Sequence, residues 1–256
     1  MKLRRTYMAR MWKLVAALAG TLGVISVAHA GEAEIRKSMA SLYPSAVVRE
    51  VNPTKSPAIF EVVVDQEILY TDAVGKFFIM NGEMIDVEGR ANITRDRKQE
   101  LTKINFKDLP LDKATVIVKG DGSRVFATFE DANCGYCKRL HQGMKQLTNY
   151  TQYVFVTPMM GEDSRRKADA VWCSGDRAKA VTEMMTANVA PTAQGACKTV
   201  TTEVEALAKK LGVTGTPTIF LADGTRIPGF MPPDRLEQAL IKAAAVKTAD
   251  AKAALR

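Results

Sequence analysis

Apolar and polar positions change period several times along the chain. Ile35, Met39 and Leu42 recur at steps of four and three, so residues 32–42 read as a short helix, with Pro44 ending it. From residue 46 to 87 the pattern shortens to β runs at 47–51, 59–64, 68–71, 77–80 and 84–87. Asn81-Gly82 is a two-residue hairpin signal between the last pair. Residues 94–109 read as helical, but Leu101, Ile104 and Leu109 make only a thin apolar stripe, which suits a linker between domains. Pro110 closes it.

Beyond Ala114 strand and helix alternate. Strands are expected at 115–118 and 124–129, with Gly120-Asp-Gly122 turning between them, and at 153–157. Helices are expected at 164–188, at 203–211 with Gly212 as C-cap, and at 236–245. Residues 218–221 and 226–228 form a hairpin around Asp223-Gly224. The Ala/Lys-rich tail, 247–256, reads as frayed.

Between the strand at 124–129 and the next helical pattern stands Cys134-Gly-Tyr-Cys137. Leu140, Met144 and Leu147 mark one face of the following helix, and Asp131 and Asn133 are capping residue types. Cys134 therefore falls at a helix start, where free N–H groups and the dipole favour an anion. The thiolate is the reactive form of cysteine, and C-x-x-C at such a site lowers a thiol pKa from about 8.5 into a range of roughly 3.5–7.5. Cys137 lies nearly one turn on, in reach of a disulfide. Half a zinc site is a competing reading. The other cysteines, Cys173 and Cys197, lack the second C-x-x-C that such a site needs, so no metal is expected. A purely structural Cys134–Cys137 disulfide is the other alternative to a redox dithiol.

The N-terminus changes the charge argument. Lys2, Arg4, Arg5, Arg10 and Lys13 precede an apolar run at 14–27, too short to span a membrane comfortably. Ala28-His29-Ala30 then offers small residues to a signal peptidase, so residues 1–30 read as a secretory signal peptide. Without that segment, which carries five basic and no acidic side chains, the formal charge of +8 falls to +3. That is no footprint for nucleic acid. Export to an oxidising compartment also makes disulfide chemistry legible in four cysteines. Residues 31–93 hold no cysteine, histidine or catalytic cluster. So small a sheet is marginal alone and leaves edges to be paired, which points to a second copy of the chain.

Several segments together resemble one family, the periplasmic disulfide isomerases of the DsbC/DsbG type. They are Cys134-Gly-Tyr-Cys137-Lys-Arg-Leu-His141, Ala170-Val-Trp-Cys173, Leu211-Gly-Val-Thr-Gly-Thr-Pro217 and Ile227-Pro-Gly-Phe-Met-Pro-Pro233, with Ile68-Leu-Tyr70 and Met84-Ile-Asp-Val-Glu-Gly89 nearer the N-terminus. The resemblance covers essentially the whole chain after residue 30. It implies an α/β fold, α+β over the whole chain: a signal peptide (1–30), a small α+β dimerisation domain (31–93), a helical linker (94–110), and a thioredoxin-like catalytic domain with a helical insertion (111–256). It implies a V-shaped homodimer, rearrangement of incorrect disulfides in misfolded exported proteins, chaperone activity, a membrane thiol donor of the DsbD type, and no cofactor. Cys134 and Cys137 would be catalytic. Thr216 and a cis Pro217 would face the dithiol and bind extended substrate, with Gly135 and Tyr136 beside them. Cys173 and Cys197 would form a structural disulfide; free buried thiols are the alternative.

One departure from thioredoxins stands out. Many of them carry an acid six residues before the first active-site cysteine, where it helps move the second thiol's proton. Here that position is Thr128, and Glu130 and Asp131 lie nearer in sequence. His141 reads as a surface residue, with tuning of Cys134 as the alternative. Met159, Met160, Met184 and Met185 read as core filling rather than a peptide groove. A thiol oxidase or reductase on the same scaffold, and a non-enzymatic holdase, are the rival functions.

Overall fold

The computed structural model describes the backbone of residues 23–192 and 197–253, and side-chain surroundings for 31–192 and 197–246. The expected signal peptide falls outside the described residues up to residue 22. From there one helix, α1 (Gly23–Leu42), runs without a break, so the helix expected at 32–42 begins earlier. The chain divides into two compact units, Met1–Leu101 and Thr102–Arg256.

In the first unit, β1 (Val48–Pro53), β2 (Ile59–Val64), β3 (Glu67–Asp72) and β4 (Phe78–Ile79) form an antiparallel meander in that order. Ile35 and Met39 of α1 bury against Val62 and Leu69 of the sheet. The Asn81-Gly82 hairpin does not form. Asn81 does take a left-handed turn (φ 57°), but β5 (Ile85–Asp86) pairs with β6 (Ala91–Asn92), not with β4. The cause is a competing pair of bonds. Met84 N–H donates to Thr94 Oγ1 at 2.7 Å, and Ile93 N–H donates to the Met84 carbonyl at 3.0 Å.

The single helix expected at 94–109 is also corrected. Helix α2 (Ile93–Leu101) is fastened to the first unit: Thr94 Oγ1 lies 2.5 Å from Tyr70 Oη, and Arg97 pairs with Glu50 and Glu61. Past Leu101 the chain turns at the 3₁₀ segment Phe106–Asp108, and Phe106 and Leu109 enter the core of the second unit.

That second unit is built on five strands, β7 (Thr115–Lys119), β8 (Arg124–Glu130), β9 (Tyr150–Val156), β10 (Thr218–Leu221) and β11 (Arg226–Pro228), in the order β11-β10-β8-β9-β7. β8 and β9 run parallel and the other pairs are antiparallel. The Gly120-Asp-Gly122 turn therefore joins strands that are not neighbours, since β9 lies between them. Helix α3 (Gly135–Met144) crosses from β8 to β9. The helical insertion, α4 (Glu162–Trp172), α5 (Arg177–Ala187) and α6 (Thr201–Lys210), follows β9. The helical region expected at 164–188 consists of two helices, and Asp176 caps α5 by accepting from Lys179 N–H at 2.9 Å. The β10–β11 hairpin stands where expected, and its Gly224 (φ 85°) has no room for a Cβ against the Ile104 carbonyl. Helix α7 (Pro233–Ala253) takes up much of the tail expected to fray.

Alternation along β8 sorts its side chains between two layers. Ala127 and Phe129 join Phe106, Phe155, Val204 and Phe220 on one face. Phe126 joins Leu140, Met144, Tyr150, Ile219 and Leu236 on the other, beneath α3 and α7. Phe129 stacks on Phe155 at 4.8 Å and meets Phe220 edge-on at 5.8 Å. Replacing Phe129 by Ala removes the hub of these contacts, and urea unfolding should register a loss of about 3–5 kcal/mol. A loss below about 1 kcal/mol would mean that this layer does not hold the sheet.

Candidate active site

Cys134 is itself the N-cap of α3, with extended backbone (φ −73°, ψ 116°). Its sulfur accepts from Cys137 N–H at 3.4 Å, the place an Asp or Ser oxygen takes in an ordinary cap. The expected caps do other work. Asp131 accepts from Asn133 N–H (2.7 Å), Met159 N–H (2.6 Å), Met160 N–H (2.9 Å) and Ser164 Oγ (2.7 Å), so it ties the loop before the dithiol to the loop after β9. Asn133 donates to Asp163 and Ser164.

The two thiols differ sharply. Cys134 is 7% exposed and Cys137 is wholly buried, and both are free thiols. The Cys137 thiol beside it, more than any other group, lowers the Cys134 pKa to about 5; burial opposes this, and the Thr216 side chain and the N–H groups of Cys137 and Tyr136 assist. Cys137 is held far above the ordinary thiol range, first by its bond to Cys134, then by burial and the charge of Glu130. One sulfur is thus a thiolate at neutral pH and the other a thiol, the division needed for attack and later escape.

The remaining expected residues gather around Cys134. The Thr216–Pro217 peptide is cis, and the Cys134 sulfur lies 3.2 Å from the Thr216 carbonyl, to which it donates only when protonated. Gly135 is open to solvent, with nothing within 4 Å of where a Cβ would stand. Tyr136 is exposed, 6.2 Å from the Phe230 ring, with the Arg139 guanidinium over its face at 5.5 Å. A disulfide joins Cys173, the C-cap of α4, to Cys197, with Cα atoms 5.8 Å apart.

Two expectations need correction. His141 is no surface residue: it is buried, and its Nε2 lies 2.7 Å from Glu130 Oε2. The methionines divide, with Met184 and Met185 packed against the dithiol in the core while Met159 and Met160 stand exposed. The Glu130–His141 contact is the feature sequence reasoning missed. The signal was present in two periodicities. Thr128 and Glu130 alternate onto the face of Phe126, and His141 follows Cys137 by four residues on one helical face.

A dithiol at a helix start, beside a cis proline at the end of a neighbouring strand, is the arrangement of a thioredoxin-like domain. Residues 111–244 match the thioredoxin-like domain, and residues 26–95 match the disulfide bond isomerase protein N-terminal domain. The chain belongs to the DsbC family of thiol:disulfide interchange proteins. It is 30% identical to the thiol:disulfide interchange protein DsbC of Escherichia coli K12 over 236 residues, 90% of this chain and 93% of that protein. The probable thiol:disulfide interchange protein DsbC of Bordetella pertussis is 42% identical over 183 residues, which make up 71% of this chain but only 64% of the relative's length. Among solved structures, the disulfide interchange protein from Neisseria gonorrhoeae matches with a TM-score of 0.51 and 35% identity, over 53% of this chain and 99% of its own.

The lowered Cys134 value fixes a pH profile. Its thiolate forms as pH rises through about 5, so the iodoacetamide rate at Cys134 should rise there and level off by neutrality, with Cys137 unmodified. The same shift adds stability to the reduced protein that is full above the unfolded thiol value of about 8.5 and is lost as pH falls through the folded value. A half-point near pH 8.5, or prior alkylation of Cys137, would reverse the roles given to the two sulfurs.

Proposed function

We propose that the protein is a thiol:disulfide isomerase of the periplasm, exported by a cleavable signal peptide, that rearranges incorrect disulfides in other exported proteins. The observation that carries this reading is the unequal dithiol: a Cys134 thiolate at the helix start, beside the Thr216–Pro217 turn, with Cys137 sealed beneath it.

In this reading the Cys134 thiolate attacks one sulfur of a client disulfide. A Cys134–client bond forms, the client S–S bond breaks, and the second client sulfur leaves as a thiolate. That thiolate, or another in the client, then attacks elsewhere in the client. A final attack on the client sulfur bonded to Cys134 returns Cys134 as a thiolate, with no net oxidation. When no client thiol resolves the intermediate, Cys137 attacks Cys134. The client leaves reduced and the enzyme is left oxidised, so a membrane thiol donor of the DsbD type has to reduce it. Thr216, Pro217 and Gly135 offer backbone to an extended client segment, and Tyr136 with Phe230 offers apolar contact. The same contacts support a chaperone activity. The Cys173–Cys197 disulfide is structural.

Residues 31–93 supply the dimer contact. β1 and β4 are the edges of the four-stranded sheet, and Phe77 just before β4, with Ile79, Met80, Ile85 and Val87 in and after it, is exposed. A two-fold contact between copies would cover such a patch with the same patch. Residues 94–110 link this domain to the catalytic one.

A refolding assay on a scrambled protein with several disulfides tests the reading. Cys134→Ser should abolish recovery, and Cys137→Ser should accumulate enzyme–client mixed disulfides visible on non-reducing gels. Deleting residues 31–93 should give a monomer by light scattering that still reduces a small disulfide but loses most unscrambling. A monomer that unscrambles as well as the full chain would defeat the isomerase reading.

A further inference from the structure

Beneath the dithiol lies a polar group of side chains in what is otherwise an apolar layer. Thr128, Glu130 and Gln152 are all fully buried, on the face of β8 and β9 that carries Phe126, Tyr150 and Val154. Gln152 Nε2 donates to Thr128 Oγ1 at 2.9 Å and to Glu130 Oε1 at 2.8 Å, while the other carboxylate oxygen meets His141 Nε2 at 2.7 Å. Burying a carboxylate is costly even when it is paired, and packed apolar side chains serve stability as well or better. The fold therefore gives no account of why a Glu–His pair sits here.

Its position does. Cys137 and His141 are four residues apart on α3, so they share a face about 6 Å apart along the axis. The thiol is sealed from bulk water, and when it attacks the Cys134–client bond its proton needs a receiver inside the protein.

We infer that Glu130, held in place by His141 and Gln152, takes the Cys137 proton during escape from the mixed disulfide. The S–H bond of Cys137 breaks and its proton passes to the carboxylate. The electron pair left on sulfur attacks Cys134 Sγ, the Cys134–client bond breaks, and the client sulfur leaves with its electrons. Glu130, positioned by His141, thus does the work of the acid absent at Thr128, from the next position along the same strand face. Among the described residues, Cys137 of α3 and Tyr150 of β9 feel the Glu130 charge, and Gln152 of β9 bonds to its carboxylate. Helix α5 presents apolar Val181, Met184 and Met185, while its charged side chains turn outward, Arg177 onto Trp172 and Lys179 toward Glu183.

A static reading of Glu130 predicts the opposite of a proton receiver. Its charge opposes the Cys137 thiolate, so removing that charge should ease thiolate formation and speed escape. If Glu130 takes the proton, removing it should slow escape.

The experiment uses the reduced full chain and 5,5′-dithiobis(2-nitrobenzoate), followed by stopped-flow absorbance. The first thionitrobenzoate release reports attack by Cys134 and tests the assignment of the attacking thiol, on which this inference rests. The second reports escape through Cys137. In Glu130→Gln the first phase should match wild type. The second should fall about 10- to 100-fold at pH 7 and regain speed about tenfold per pH unit, as hydroxide replaces the lost acceptor. A second phase that is faster, unchanged, or slower by one factor at every pH would overturn the inference. If Glu130→Gln does not fold, His141→Gln is read the same way: a slowed, steeper second phase supports the inference, and a wild-type pH slope overturns it.

Discussion

The sulfur of Cys134 occupies the place that an Asp or Ser oxygen takes at an ordinary helix N-terminus, and most of the second unit can be understood from that substitution. A cap atom must face the first N–H groups of the helix, so the thiol is aimed at Cys137 N–H without any further device. An anion is favoured there, and sulfur bears a negative charge more easily than a hydroxyl does. The price is that the second thiol, one turn on, must supply the main stabilising bond while remaining protonated itself. Burial of Cys137 secures that, since an unsolvated thiol resists ionisation.

The sheet fixes where this helix begins. β8 is buried through most of its length, held on one side by β10 and on the other by β9, so its C-terminal end is a rigid platform. Asp131 then bolts the loop beyond it to Met159, Met160 and Ser164. β10 begins directly after Pro217, and its register against Phe129 brings the Thr216 carbonyl to the sulfur. Two ends of neighbouring strands thus meet at one atom. The polar group under α3 lies on the same strand face, which couples the site to the interior of the sheet rather than to solvent.

How much of this was legible in the sequence depended on whether the governing contact was local. The Cys134–Cys137 spacing, the Asp223-Gly224 hairpin and the helix stop at Gly212 are all short-range, and each could be read from neighbouring residues. The Asn81-Gly82 hairpin was misread because Thr94, distant in sequence, captures Met84. The helix at 94–109 was misread because Phe106 and Leu109 are claimed by a different core. His141 looked like a surface residue because nothing beside it in sequence reveals a carboxylate on a strand eleven positions earlier. The alternation of Thr128 and Glu130 onto an apolar face was the available warning that some partner had to exist.

Whether the helix start holds Cys134 as a thiolate can be read from the reduction potential of the Cys134–Cys137 pair, measured by equilibration with glutathione. A thiolate stabilised by about two pH units below neutrality favours the dithiol by roughly 60 mV over a pair of ordinary thiols. The potential is expected well above the approximately −270 mV of thioredoxin. A value at or below it would mean that the helix start does not hold Cys134 as a thiolate.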